Sequence, residues 1–236
     1  MMKAIILAGG KGTRLRQVVK DLPKPMAMIS GRPFLEYLIL QLAKAGITDI
    51  ILSLGYKKEA VKSYFGSGKP WKVNIGYCEE RTPLGTGGAL KKAAGLINRR
   101  EFLVMNGDSC LDLDFMRLIA FHRRHKAICS IALATVADTS RYARIEINSR
   151  GEVVSLAEKK SGGSGLINGG VYVFDRGIVD CIPGGRVSLE YQVLPRLIGR
   201  GLRAMAVKGF FIDIGVPEAF SGLNNKPQRL FKAAGI

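Results

Sequence analysis

The stretch KAIILAGGKGTRLRQVVKDLPKPM, residues 3–26, decides the fold. Its first residues, KAIILA, read as a strand buried on both faces. Glycines at 9, 10 and 12, an arginine at 14 and a lysine held between two prolines at 24 follow directly. Gly9, Gly10 and Gly12 permit positive φ and close backbone approach, so their N–H groups can line an anion-binding concavity. Arg14 adds a planar fork suited to phosphate oxygens, and Lys24, between Pro23 and Pro25, is a point charge in an extended segment with little freedom to lose. The ligand this chemistry suits is a polyphosphate. Two familiar phosphate loops are excluded: Lys11 is followed by Gly12 where the ATPase loop needs Ser or Thr, and Leu15 stands where the dinucleotide fingerprint needs its third glycine.

Outward from that loop, strand and helix alternate. PFLEYLILQLAKAG has Phe34, Leu35, Leu38, Ile39 and Leu42 at helical spacing with Gly46 as a stop. DIILSLGY, KVNIGYCEE and EFLVMNGDS read as strands, with KEAVKSYFG and TGGALKKAAGLI as the helices between them. After the helix FMRLIAFHRRHK come the strand ICSIALATV, a hairpin turning at NSRG, and the strand GLINGGVYVFD. SLEYQVLPRLIGRG reads as a helix opened by a serine cap, RAMAVKGFFIDIG as one returning strand, and PEAFSGLNN as the last helix. The alternation implies right-handed crossovers and an α/β fold with a mainly parallel sheet covered on both faces. No repeat, low-complexity tract or linker interrupts it, so residues 1–236 are expected to form a single domain.

Composition narrows the function classes. No apolar run approaches the roughly 18 residues of a membrane span, and MMKAIILAGG lacks the cleavage site of a secretion signal, which points to a soluble, cytoplasmic protein. Cys78, Cys110, Cys129 and Cys181 are scattered without metal-ligand spacing and are expected at or near the core. The net charge of +17 is spread along the whole chain, without the aromatic-plus-basic pattern of an RNA-binding surface, and fits an anion-attracting cleft better than a nucleic-acid partner. His122 and His125, flanked by Arg123, Arg124 and Lys126, are expected on a solvated helix face rather than at a metal.

The motif LAGGKGTRL…LPKPM resembles the signature of the sugar-1-phosphate nucleotidyltransferases. PLGTGGAL, NGDS, EKK, INGGVYVFD, SLEYQVLP and FIDIGVPEAF match later landmarks of that family in order, so the resemblance spans almost the whole chain. VVKDLPKPMA followed by GRPFLEYL is most similar to the D-glycero-D-manno-heptose 1-phosphate guanylyltransferases. The resemblance implies a Rossmann-like three-layer α/β/α fold with a mainly parallel, mixed sheet. Its N-terminal part would bind a nucleoside triphosphate and its C-terminal part a sugar 1-phosphate. The reaction gives a nucleotide sugar and pyrophosphate, with mannose 1-phosphate, or another pair of nucleoside triphosphate and sugar 1-phosphate, as the alternative.

Resemblance also implies the roles. Leu7, Ala8, Gly9, Gly10, Gly12, Thr13 and Arg14 hold the nucleotide, Arg14 taking the outer phosphates, and Lys24 bridges the α-phosphate and the sugar phosphate. Asp108 and Asp213, after apolar strands, are Mg2+ ligands; a helix-capping aspartate is the bland alternative for either. Lys159 meets the sugar phosphate, with Gly107 beside it, and Glu158, Asn168 and Glu190 contact the sugar. Tyr191 stands where the family often has lysine, and Lys160 replaces a common proline. The choice of base follows from chemistry: guanine offers N1–H and an amino group side by side, a donor pair one carboxylate can accept. Glu79 or Glu80, just before the loop containing Gly85, favours GTP, unless both are solvated at a strand end. An inactive regulatory module on the same fold is a competing reading, which the intact set Arg14, Lys24, Asp108, Lys159 and Asp213 disfavours. The frequency of two-fold oligomers makes a homodimer the prior.

Overall fold

Alternate side chains of the first strand, β1 (Lys3–Leu7), enter two different cores: Ala4 and Ile6 one, Ile5 the other. A strand covered on both faces requires this period of two. The structure is a computed structural model that describes residues 2–10, 22–157, 162–215 and 217–236. Beyond β1 come a 3-10 turn at Lys24–Met26, a short hairpin of β2 (Met28–Ile29) and β3 (Arg32–Pro33), and helix α1 (Phe34–Lys44). Then follow β4 (Asp49–Leu54), α2 (Lys58–Phe65), β5 (Asn74–Glu79), α3 (Gly85–Ala94), β6 (Glu101–Asn106) and β7 (Ser109–Leu111). The second half holds α4 (Phe115–His125), β8 (Cys129–Val136), β9 (Arg144–Ile147), β10 (Val153–Ala157), β11 (Gly165–Asp175) and α5 (Ile178–Cys181). β12 (Leu202–Val207), β13 (Phe211–Asp213), α6 (Pro217–Asn225) and α7 (Gln228–Ala234) close the chain.

In the main sheet β6, β1, β4 and β5 are parallel neighbours in that order. β11 runs antiparallel to β6 and to β8, β12 pairs parallel with β8, and the hairpin of β9 and β10 extends the sheet beside β11. Helices α1 and α2 pack on one face and α3 on the other, giving the three-layer α/β/α arrangement with a mixed sheet. The chain leaves β1 toward β4 and β5, then returns through α3 to β6 on the opposite side of β1. Strand order therefore reverses between β1 and β6, and ligands of such sheets bind beyond the carboxyl ends of the strands at this switch point.

Several expectations change in three dimensions. RAMAVKGFFIDIG is two strands: β12 joins the main sheet, while β13 pairs antiparallel with β7. Gly209 makes the switch, since a Cβ there would collide with the Asp112 carbonyl, and the chain then presents Phe210 O to Asp112 N at 2.8 Å. The expected helix after Ser188 keeps its cap, with Ser188 Oγ accepting from Tyr191 N at 3.2 Å, but winds as a π turn over Leu189–Val193 and then a 3-10 turn over Leu194–Leu197. Pro195 has no N–H to continue an α ladder there. Lys24 opens a 3-10 turn instead of lying in an extended segment; Pro25 is tolerated because its missing N–H would be unpaired in a first turn anyway.

His122 is buried rather than solvated: it faces the sheet, where its Nδ1 lies 3.0 Å from Ser130 Oγ, and burial lowers its pKa. Cys78, Cys110 and Cys129 are core residues as expected, whereas Cys181 is exposed. Helix α7, which the sequence reading does not anticipate, stacks Phe231 on Tyr37 of α1 with ring centroids 5.8 Å apart. None of the helices described is long and apolar enough to cross a membrane.

Candidate active site

The switch point at the ends of β1 and β6 is floored by backbone. Leu7 pairs with Asn106 across the two strands, and Gly107 N donates to Leu7 O at 2.9 Å. A Cβ on Gly107 would sit 2.8 Å from that carbonyl and 3.1 Å from the Ala8 side chain, so glycine permits the close approach. On the other side of β1, Ala8 N donates to Ser53 O at 2.8 Å. Gly9 and Gly10 then lead out of the sheet toward the segment 11–21.

Asp108 follows β6 and Asp213 ends β13, and they meet because β13 pairs with β7, setting Asp213 opposite Ser109. Ile214 N donates to Asp108 O at 3.0 Å, closing the arrangement. Between the two carboxylates lies the ammonium of Lys24, 2.6 Å from Asp108 Oδ2 and 3.5 Å from Asp213 Oδ1, with only 11% of its side chain exposed. Gly215 closes the far side: its N–H donates to Asp213 Oδ1 at 2.6 Å, and a Cβ would lie 2.5 Å from Lys24 Nζ. Three of the five residues expected to be catalytic thus converge at the switch point.

The two glutamates of CEERTPLG part company. Successive residues leave a strand on opposite faces. Glu79 faces α2, where Lys58 and Lys62 donate to its carboxylate at 2.5 and 2.9 Å and hold its pKa down to about 2. Glu80 lies against the glycine loop: a Cβ on Gly9 would collide with its Oε1, while Oε2 accepts from Leu84 N at 2.9 Å. Burial raises the Glu80 pKa, against the lowering effect of the Leu84 N–H and of Lys92. Of the two, it is Glu80 that lies beside Gly9, in the described part of the expected nucleotide loop.

Gly85 opens α3 with φ +70°, and a Cβ would collide with the Val187 carbonyl, which accepts from Gly87 N at 2.8 Å. Gly85→Ala should therefore lower stability by about 1–3 kcal/mol through strain and overpacking, measured by thermal or urea unfolding. Next to Gly85, Thr86 Oγ1 donates to Glu190 Oε2 at 2.6 Å, which also accepts from Ser188 Oγ at 3.1 Å. Asn168 sits where β11 bulges, its Nδ2 donating to Tyr172 Oη at 2.7 Å and its Oδ1 accepting from Gly170 N at 3.0 Å. Asn106 Oδ1 and Ser109 Oγ, flanking Gly107 and Asp108, are buried without a hydrogen-bond partner among the described residues.

A model of the family described as Nucleotidyl transferase matches residues 3–229 of this chain. The chain belongs to that family. Its similarity to D-glycero-alpha-D-manno-heptose 1-phosphate guanylyltransferase of Aneurinibacillus thermoaerophilus is 38% identity over 221 residues, 93% of this chain and 95% of the relative. With the mannose-1-phosphate guanylyltransferase of Mycobacterium tuberculosis it shares 37% identity over 92% of this chain and 62% of that longer protein. The crystal structure of HddC from Yersinia pseudotuberculosis complexed with GMP-PN superposes with a TM-score of 0.86 at 37% identity, covering 96% of this chain and 99% of that one.

In this nucleotidyl transferase, Gly12, Thr13 and Arg14 of the expected nucleotide loop, and Glu158 and Lys159 of the expected sugar-phosphate pair, lie outside the described residues. Tyr191 is 71% exposed beside Glu190. Thr86 and Tyr172, which hold Glu190 and Asn168, are missed by the sequence reading, and Ser188, expected only as a helix cap, also holds Glu190. A tyrosine within an apolar strand looks like any core aromatic, and only the bulge of β11 reveals its partner. Asn106 does leave a trace, as a polar residue ending the apolar run FLVM.

Proposed function

We propose that the protein joins GTP and a sugar 1-phosphate to give a GDP-sugar and pyrophosphate, with D-glycero-D-manno-heptose 1-phosphate as the sugar substrate. The observation that carries the reading is the Lys24 ammonium set between Asp108 and Asp213 at the switch point. Attack of a sugar-phosphate oxygen on the α-phosphorus brings two anions together, so positioning and charge neutralisation do most of the work. Lys24 lies nearly buried where both phosphates would meet, and bridges them. Glu80 accepts the paired donors of guanine, and Gly9, Gly10 and the backbone at Gly85 line the nucleotide. Arg14 takes the outer phosphates and Lys159 the sugar phosphate, with Gly107 near it; Glu158, Asn168 and Glu190 meet the sugar hydroxyls. The whole chain, 1–236, acts as one cytoplasmic domain with a nucleotide half and a sugar half.

Asp108 and Asp213 suit Mg2+, a hard ion commonly held by one or two carboxylates plus phosphate oxygens and water. Two carboxylates already gathered round one cationic group fit that donor set, and no cluster of three or more His, Cys, Asp or Glu occurs among the described residues to suggest a metal held by protein alone. When bound, the metal neutralises charge on the phosphates.

Mannose 1-phosphate is the second reading, supported by the mycobacterial relative. The test is pyrophosphate release with Mg2+, crossing the common nucleoside triphosphates against the 1-phosphates of heptose, mannose, glucose and N-acetylglucosamine. Highest kcat/KM with GTP and heptose 1-phosphate is the expected result. Preference for another pair would overturn the specificity, and no release with any pair would overturn the enzyme reading.

A further inference from the structure

Behind Asn168 lies a fully buried tyrosine for which the reaction has no direct use. Tyr172 has no exposed surface, and its ring stacks on Phe174 with centroids 5.6 Å apart. Its hydroxyl accepts from Asn168 Nδ2 at 2.7 Å. In a regular strand residues four apart stand roughly 13 Å from each other. Here the register shift between Asn168 and Val171, with Gly170 at φ +73°, folds Asn168 back over Tyr172. The bulge cannot be moved cheaply, because a Cβ on Gly169 would lie 2.7 Å from Ala132 O and one on Gly170 would collide with Ser109 Oγ.

The Asn168 amide is thereby pinned at both ends: one Nδ2 hydrogen goes to Tyr172, and one Oδ1 lone pair accepts from Gly170 N at 3.0 Å. One N–H and one lone pair remain in a fixed direction, a donor and acceptor pair matched to a sugar hydroxyl. The charge of Glu190 and the side chain of Asn106 both act on the ionisation of the same phenol. Burial, with Glu190 adding to it, holds this phenol neutral far above its ordinary range.

We infer that Tyr172 is a positioning residue for the sugar 1-phosphate, its hydroxyl fixing the side-chain amide of Asn168 in the orientation that receives the sugar. The inference rests on the proposed role of Asn168 as a sugar contact. A role of this kind acts on one substrate only. Tyr172→Phe removes a single oxygen and keeps the ring stack; the expected result is a KM for the sugar 1-phosphate raised about tenfold, the equivalent of one hydrogen bond, with KM for GTP unchanged.

The cycle is completed by Asn168→Leu and by Tyr172→Phe with Asn168→Leu together. The double variant replaces donor and acceptor by apolar groups and so carries the test even if Tyr172→Phe alone folds poorly. Its sugar KM is expected to equal that of Asn168→Leu alone, since the hydroxyl then has nothing to orient. Equal changes in both substrates' KM, or additive effects in the double variant, would overturn the inference. An impaired Asn168→Leu beside an unimpaired Tyr172→Phe would overturn it too while sparing the sugar contact. An unimpaired Asn168→Leu would overturn the sugar contact itself, and the inference with it.

Discussion

Replacing Lys24 with methionine is expected to lower kcat on the order of 10²–10³-fold, with KM for each substrate held within about threefold. The size follows from the setting. The ammonium is nearly buried and lies 2.6 and 3.5 Å from two carboxylates, so its charge acts with little screening by water. If it bridges the two phosphates as they approach, its contribution is greatest when their mutual repulsion peaks, which moves kcat rather than KM. Lys24→Arg should fail to restore activity: a guanidinium is a broad fork, and a Cβ added at Gly215 would lie only 2.5 Å from Nζ, so the far wall is already close. Steady-state pyrophosphate release on both variants, beside their melting curves, makes the check. A loss of activity that tracks loss of fold, or a loss confined to KM, would contradict the bridging role.

Glu80→Gln is expected to lower kcat/KM for GTP about 100-fold and to collapse discrimination between GTP and UTP. The isosteric amide can still accept from Leu84 N through its oxygen, but its NH2 would face one of guanine's donors. Glu79→Gln serves as the control and should leave kcat/KM for GTP within about twofold, because the Lys58 and Lys62 contacts tie Glu79 to α2. The reverse pattern would move base reading to Glu79.

Acidity adds an independent test of the same residue. Guanine's two donors require the ionised carboxylate, and burial raises the Glu80 pKa above its ordinary 4.5. KM for GTP should therefore climb as pH falls through that raised value, earlier than for an unperturbed glutamate. The sign for stability is opposite. A carboxyl whose folded pKa is raised costs stability as pH increases through it, because the buried site disfavours the charge. Glu80→Gln should for that reason melt no lower than the parent at neutral pH, separating loss of base recognition from loss of fold.

The legible part of the molecule is local. Continuous apolar runs such as KAIIL and DIILSL announce strands covered on both faces, and the spacing of Phe34, Leu35, Leu38, Ile39 and Leu42 announces α1, all of which the structure bears out. The α/β alternation and membership of the nucleotidyl transferase family follow from order along the chain. Asp108 and Asp213 stand out as polar residues just after apolar stretches, a pattern visible without coordinates. Where neighbours in space set the outcome, reading fails. RAMAVKGFFIDIG looks like one strand because nothing in it shows that Asp112 will take the backbone at Phe210. FHRRHK looks solvated because of its flanking cations, although the apolar side of α4 turns His122 onto Ser130. SLEYQVLP looks α-helical because its serine cap and apolar spacing suit an α-helix, although Pro195 cannot continue the ladder and the segment winds as π and 3-10 turns.

By itself, then, the sequence determined the layers of the fold, the glycine loop at the end of the first strand, and the residue types of a phosphate-handling site, because each depends on periodicity or on groups within a few residues. The tertiary structure alone decided that Lys24 sits between Asp108 and Asp213, that Glu80 rather than Glu79 lies against Gly9, and that Tyr172 holds Asn168. Those decisions rest on which strand pairs with which and on the face from which a side chain leaves. The pairing of β13 with β7 and the bulge in β11 are selected by packing of the whole chain, and no window along it contains both partners.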